Sequence, residues 1–374
     1  MITPLTDSPF AHSWGVTPVS KRWRNGRRGG KVPAGGRSTS GGKGPAGGKA
    51  PAGGKGPGRG TGIHSMADPV DPGGRRWYDP RVSEGATAAT LRLMRGHEPG
   101  SMDERDGSLD AHMPLRDPVP LVDPTPIEEA QEIMYEAFRH RGEERVELAR
   151  RALGTSRDCA DAHVVLAEET AKTPGEALAL YEAGVAAGER ALTREWIERG
   201  AGGLWGSLKA RPYMRALSGR AATLWTLGRR EGSIAQGKEA LRLDAEDHMG
   251  NRYILLCHLI GAGRDGEARE LLERYEGDGS ATWAYSRALL LYRAEGASRA
   301  AGERLDEAFE VNPHVPLQMF GYEPMPDELL GLSIVGDQDE ATLYLFDSHE
   351  AWLATGGSPE WVHGRMLRLL KPPP

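Results

Sequence analysis

Gly228, Gly263 and Gly296 stand 35 and 33 residues apart, and each is followed five residues later by a small side chain: Ser233, Ala268 and Ala301. Seven residues beyond those come Ala240, Tyr275 and Ala308. A recurrence near 34 residues marks a helix–turn–helix repeat. Glycine makes the tight turn, and the small residues let one helix lie close against the other. A single hairpin of this kind cannot keep its apolar stripe from water, so neighbours must stack into a continuous core. A chain with this pattern is expected to present a binding groove rather than a catalytic cleft.

The rest of the chain divides around that frame. Residues 1–65 repeat PAGGR/PAGGK at 33–37, 45–49 and 51–55 and hold few apolar side chains. Burial there cannot offset ordering entropy, so a disordered basic arm is expected. Met66 opens a change of composition and is a candidate alternative start. Residues 66–123 stay rich in Pro, Gly and Asp. A short helix is expected over 86–95, and the Pro-rich MPLRDPVPLVDPTP reads as an extended lead-in along the first repeat. From Thr125 the apolar period becomes 3.6, with Thr125 as cap and Pro126 in the first turn. Helices are expected from there to 138 and at 143–153, 159–171 and 174–187. The Gly-rich, aromatic stretch 189–211 interrupts the pattern. The three clear pairs follow at 213–227/230–243, 248–261/264–275 and 281–294/297–311. Residues 312–374 read as a Pro-rich loop and capping helices at 338–354 and 359–370, with Ser358 as cap. Nothing in 125–370 reads as a sheet. The fold expected is all-α: a right-handed helical-repeat solenoid behind a disordered N-terminal arm.

The formal net charge of -6 hides a division. Residues 1–65 carry eleven Lys/Arg and one acid, while the remainder carries a net charge of -16. Cys159 and Cys257 have no metal-type spacing and read as two buried thiols of a reducing compartment. No run approaches the ~18 apolar residues that span a bilayer. The N-terminus lacks the pattern of a signal peptide, and Arg27-Arg28 lacks the apolar segment of a twin-arginine signal. A cytoplasmic protein is expected.

The three clear units resemble tetratricopeptide repeats. From Met214 to Asp247 the 34-residue frame fits without gaps, with Ala221, Gly228, Ser233 and Ala240 at its small-residue positions. The proline that usually follows the second helix is replaced there by Ala245 and occurs only at Pro313. A more specific likeness is to the suppressor of tumorigenicity seven family, in particular its bacterial relatives. The segments LWGSLKARPYMRA (204–216), DAEDHMGNRYILL (244–256), SATWAYSRALLLYRAEG (280–296) and NPHVPLQMF (312–320) carry it. With flanking helices the likeness covers about 125–365 and leaves out the first 120 residues. It implies a helical interaction protein and supplies no catalytic residues. Animal members are described as membrane proteins, whereas this chain shows no spanning segment.

In the tetratricopeptide frame, positions two, five and six of each first helix face the groove. They hold Arg215, Ser218 and Gly219; Met249, Arg252 and Tyr253; Trp283, Ser286 and Arg287. Arg215, Arg252 and Arg287 are candidates to grip a carboxylate or an acidic peptide, because a guanidinium donates two parallel hydrogen bonds. Tyr253 and Trp283 would wall the groove. The bland alternative is that the arginines pair with acids of neighbouring helices. Trp205, Arg211 and Tyr213 form a candidate recognition loop, with gap-filling packing as its alternative.

Other chemistry is excluded or weak. The PAGGK repeats fail the phosphate-loop frame, since Lys43 and Lys49 stand where glycine is required. No two of the eleven histidines are spaced i,i+3 or i,i+4, and neither a metal site nor a cofactor is expected. His163 and His258 read as core or boundary residues. Glu168-Glu169 and Glu143-Glu144 read as solvated helix faces. The expected role is a non-catalytic scaffold whose concave groove binds a protein segment. The first alternative is a nucleic-acid-associated protein using the basic arm, with Trp14 and Trp23 stacking on bases. The second is an enzyme or enzyme subunit whose activity the sequence does not display.

Overall fold

The computed structural model describes residues 79–96, 121–326 and 334–369. The arm at 1–65 and most of the lead-in lie outside the described residues. Among those described there are α- and 3-10 helices and no strand, with one isolated bridge between Gly203 and Asp244.

Fifteen α-helices follow in order: α1 Val82–Gly96, α2 Pro126–Ala137, α3 Gly142–Thr155, α4 Ala160–Thr170, α5 Pro174–Leu192, α6 Arg194–Arg199, α7 Arg211–Thr226, α8 Arg230–Leu243, α9 Asn251–Gly261, α10 Asp265–Arg274, α11 Ala281–Glu295, α12 Arg299–Val311, α13 His314–Met319, α14 Gln338–Ala354 and α15 Ser358–Leu369. Helix α2 shows how the sequence builds such an element. Glu128 accepts hydrogen bonds from the backbone N–H and the hydroxyl of Thr125, closing the first turn. Ala130, Met134 and Phe138, four apart, are fully buried on one face.

The three glycines that frame the repeat do what the spacing requires. Gly228, Gly263 and Gly296 have φ of +74°, +72° and +67°, a conformation costly for any side chain with a Cβ. Ser233, Ala268 and Ala301 are buried where the paired helices meet. Helices pair as α2/α3, α4/α5, α7/α8, α9/α10 and α11/α12. The first helices α2, α4, α7, α9 and α11 also pack on one another in sequence, forming a row.

Helix α5 runs to Leu192, five residues past its expected end. Gly188, which looks like a breaker, is a contact point: a Cβ there would lie 2.7 Å from the Tyr213 ring on α7. The break follows, with Thr193 at φ +61°. The insert is then pinned to the end of α8. Gly202 donates to the Leu243 carbonyl at 2.9 Å and accepts from the Ala245 N–H at 3.0 Å. Two short helices, α6 within the insert and α13, were not legible in the sequence.

Two helices outside the repeat cover the row. At one end α1 lies on α2. At the other, α14 packs on α9 and α11. No helix of the described residues is long and apolar enough to cross a membrane.

Candidate functional site

Under α1 lies a cluster of charged side chains, nearly all of them withdrawn from water. The segment supplies Asp79, Arg81 and Glu84, at 4 %, 4 % and 5 % exposure. The helix row supplies Arg145 from α3, Asp161 and Glu168 from α4, and Arg211 and Arg215 from α7. Asp161 and Glu168 are seven apart, two turns along one helix face. Arg211 and Arg215 are four apart and share a face in the same way.

The pairing is specific. Arg215, 1 % exposed, donates to both oxygens of Asp161 (2.8 and 2.7 Å) and to both oxygens of Glu84 (2.8 and 3.1 Å). Arg211 reaches Glu84 at 3.3 Å and also donates to the Trp205 carbonyl at 3.1 Å. Arg81 donates to both oxygens of Glu168 at 3.1 and 3.0 Å while holding Asp79. Arg145 donates to Asp79 at 2.8 Å, with Glu168 farther off at 3.4 Å. The Phe138 ring sits among them: the guanidinium carbons of Arg81, Arg215 and Arg145 lie 4.7, 5.8 and 6.0 Å from its centre. Cation–π attraction adds to the ion pairs in a site this dry.

Electrostatics follow from that dryness. Burial alone would raise the Asp79 carboxyl, but Arg81 and Arg145 outweigh it and bring it down to about 2. Burial would lower the Arg215 guanidinium, yet Asp161 and Glu84 hold it above its ordinary value. Full burial pushes the Glu168 carboxyl up against the pull of Arg81 and Arg145. Glu168, expected on a solvated face, thus sits in the centre of the cluster; only Glu169 beside it stays at the edge, 3.8 Å from Arg145 Nε.

The other residues singled out from the sequence take separate places. Arg252 donates to Asp278 at 2.8 Å, to Asp247 at 3.1 Å and to the Tyr253 hydroxyl at 2.5 Å. Its guanidinium stands 4.3 Å from the Tyr253 ring and 5.9 Å from Trp283, so it fills the aromatic corner those rings make. Trp283 is fully buried. Arg287 is half-buried and donates to the Glu276 carbonyl at 3.0 Å, with no carboxylate partner among the described residues. Each of the three arginines therefore has its own partners, and two are committed to acids of the fold. Trp205 and Arg211 stack, with the guanidinium 4.8 Å above the indole, at the margin of the buried cluster. Tyr213 is buried against α5, and burial pushes its hydroxyl up to about 12. It also lines a cleft of about 610 Å³ beside α1, walled by Leu91, Ile127, Leu192 and Leu208 and rimmed by Arg92 and Lys209.

His258 is buried on α9, its Nδ1 3.0 Å from the Ser233 hydroxyl and its ring stacked on Trp225 at 3.9 Å. Burial, helped by Arg230, lowers its pKa to about 3, so it is neutral in the fold. Cys159 and Cys257 are free and buried. No group of three or more metal-type ligands occurs among the described residues.

Comparison with known proteins places this geometry in a family context. Residues 119–199 match the family model described as "ST7 protein". That stretch includes α2 to α6, and with them Phe138, Arg145, Asp161 and Glu168. Two proteins each called "Protein ST7 homolog", from Caenorhabditis elegans and Caenorhabditis briggsae, are 28% identical over 271 and 265 residues. Each alignment takes in 61% of this chain and 49% of the relative. The chain spans about half the length of the curated relatives it matches.

Proposed function

We propose that this chain is a non-catalytic scaffold that binds a segment of another protein across the row formed by its first helices. On this reading the stacked pairs form a tetratricopeptide-like right-handed array in the cytoplasm, and affinity comes from shape and charge complementarity. The observation that carries the proposal is the clasp on α1. The row takes up a separate segment of chain and fixes it through bidentate arginine–carboxylate pairs, the mode suited to reading an acidic peptide. The similarity to ST7 proteins names no chemistry.

Affinity capture of the full chain at native abundance, followed by mass spectrometry, tests the proposal. A stoichiometric protein partner is the expected result. Partners released by nuclease would favour the basic arm instead, and a copurified small molecule turned over by the chain would replace the scaffold reading with an enzymatic one.

A further inference from the structure

The face under α1 resolves into three subsites. Arg145 receives the carboxylate of Asp79, and Arg215 with Arg211 receives that of Glu84. Glu168 receives the guanidinium between them, Arg81. The ligand register is thus acid, arginine, acid at i, i+2 and i+5.

Beyond these pairs the segment is held by a half-exposed ion pair, Arg92 to Glu132 of α2 at 2.7 Å, and by little apolar burial. Its docked side is made of small residues. Gly85 lies so near Tyr135 that a Cβ would stand 3.1 Å from the Tyr135 Cβ, and only Val82 and Ala88 join the neighbouring apolar cluster. Buried ion pairs roughly break even against the hydration they give up, so the clasp selects more than it stabilises. An uncovered face is not equivalent to a covered one. Taking residues 79–96 away opens the face to water and leaves Arg145 without its nearest carboxylate and Glu168 without its bidentate partner. A second segment of like register restores both pairs and so competes with the resident one. The resident segment's covalent link to α2 makes its own docking an intramolecular event, which a free segment must outcompete.

We propose that the α1-covered face is the partner site of the scaffold, and that the partner is a protein segment carrying two carboxylates around an arginine in the register of Asp79, Arg81 and Glu84. Helix α1 then acts as a resident stand-in that a correctly charged segment replaces. This rests on the scaffold reading and adds to it the site and the chemistry of the partner.

The test uses the full chain with a protease site placed between Gly96 and Leu121. A labelled synthetic peptide of residues 79–96 is titrated against intact and cut protein by fluorescence anisotropy. The cut protein is expected to bind at least tenfold more tightly, because the competing helix is no longer tethered. A peptide that keeps Asp79, Arg81 and Glu84 but carries alanine at its other non-glycine positions should bind within about threefold of the parent. One that keeps those positions and replaces the three charged residues with glutamine should lose at least tenfold. Failure of the released segment to exchange, loss of helical circular dichroism on cutting, or equal binding of the two altered peptides would each overturn the proposal. A partner captured by the intact chain but unmoved by excess peptide would sink this inference alone. Absence of any captured partner would sink the scaffold reading while the exchange result stands by itself.

Discussion

The row of first helices is covered twice, and the two covers are built from opposite materials. Helix α1 is held by eight charged side chains around one phenyl ring. Helix α14 is held by an apolar seam in which Ala341, Tyr344, Leu345 and Trp352 are nearly or fully buried and join one core cluster with α9 and α11. The polar bonds of α14 mostly serve backbone: Glu340 accepts from the Ala281 N–H at 2.9 Å and the Gly336 N–H at 2.7 Å, and Arg293 donates to the Ala351 carbonyl at 3.1 Å. Apolar burial is nondirectional and strongly stabilising. A buried ion cluster is directional and nearly neutral in net energy. One end of the row is thus closed by nondirectional apolar burial, and the other by directional pairing of charges.

Mutation gives the contrast its sharpest form. Arg215→Ala strands Glu84 and Asp161 in a dry site and is expected to cost about 3–5 kcal/mol in urea unfolding. The triple variant Arg215→Met, Glu84→Leu, Asp161→Leu removes that buried triad together, leaving only the half-exposed Arg211 without its carboxylate, and should recover most of that loss. On the other cover, Trp352→Ala should cost a similar 3–5 kcal/mol by opening a cavity. No charge change can repair that loss. If the triple variant were as unstable as Arg215→Ala, the N-terminal clasp would be a stabilising device and the contrast would fail.

The pH responses also run in opposite directions. The pKa of Asp79 is lowered in the fold to about 2 from the ordinary 3.8, so its stabilising contribution is complete above about pH 4 and is lost as pH falls toward 2. Asp347 on α14, half-buried, has no hydrogen bond or ion pair among the described residues, and its partial withdrawal from water pushes its carboxyl up to about 7. Its contribution is complete below about pH 4 and is lost as pH rises through 7. Asp347→Asn should therefore raise stability by roughly 2 kcal/mol at pH 8 and leave it unchanged at pH 3.5. His258, unprotonated in the fold, adds a loss as pH falls from 6.5 toward 3, and that acid limb should persist in the variant. A variant with an unaltered alkaline limb would mean that Asp347 is hydrated.

The division between what the sequence showed and what it hid follows the same line. The turn glycines were legible because a positive φ is a local demand that leaves a glycine in place. Helix α14 was legible to the residue, since Asp337 caps it and Thr355 ends it within the segment itself. The clasp was hidden because its partners are remote. Arg215 meets Asp161 across 54 positions and Glu84 across 131. A charged residue on a helix reads the same whether water or a guanidinium waits opposite, which is why Glu168 passed for a solvated residue. The available signal was the seven-residue spacing of Asp161 and Glu168 on a helix whose other buried residues are all Ala, Val and Leu. Arg252 shows the reverse case: the sequence offers it as a grip for a ligand carboxylate, but Asp247 and Asp278 already hold it.

Two smaller effects refine the comparison. Gly219 on α7 lies where a Cβ would stand 2.1 Å from the Tyr181 ring of α5. Gly219→Ala should cost about 1–3 kcal/mol through overpacking, at a point that belongs to neither cover. The smallest effect expected is at an ion pair left in water. Lys238 and Glu267 join α8 to α10, with side chains 45% and 33% exposed. Solvent screens such a pair and ordering two long side chains offsets the attraction, so Lys238→Ala should shift stability by less than about 0.5 kcal/mol. The pair joins a cation to a carboxylate as the clasp does, and differs from it in its contact with water and in carrying an ammonium rather than a guanidinium. A Lys238→Ala loss approaching that of Arg215→Ala would show that burial is not what gives the N-terminal cluster its selectivity, and the distinction between the two covers would have to rest on residue type instead.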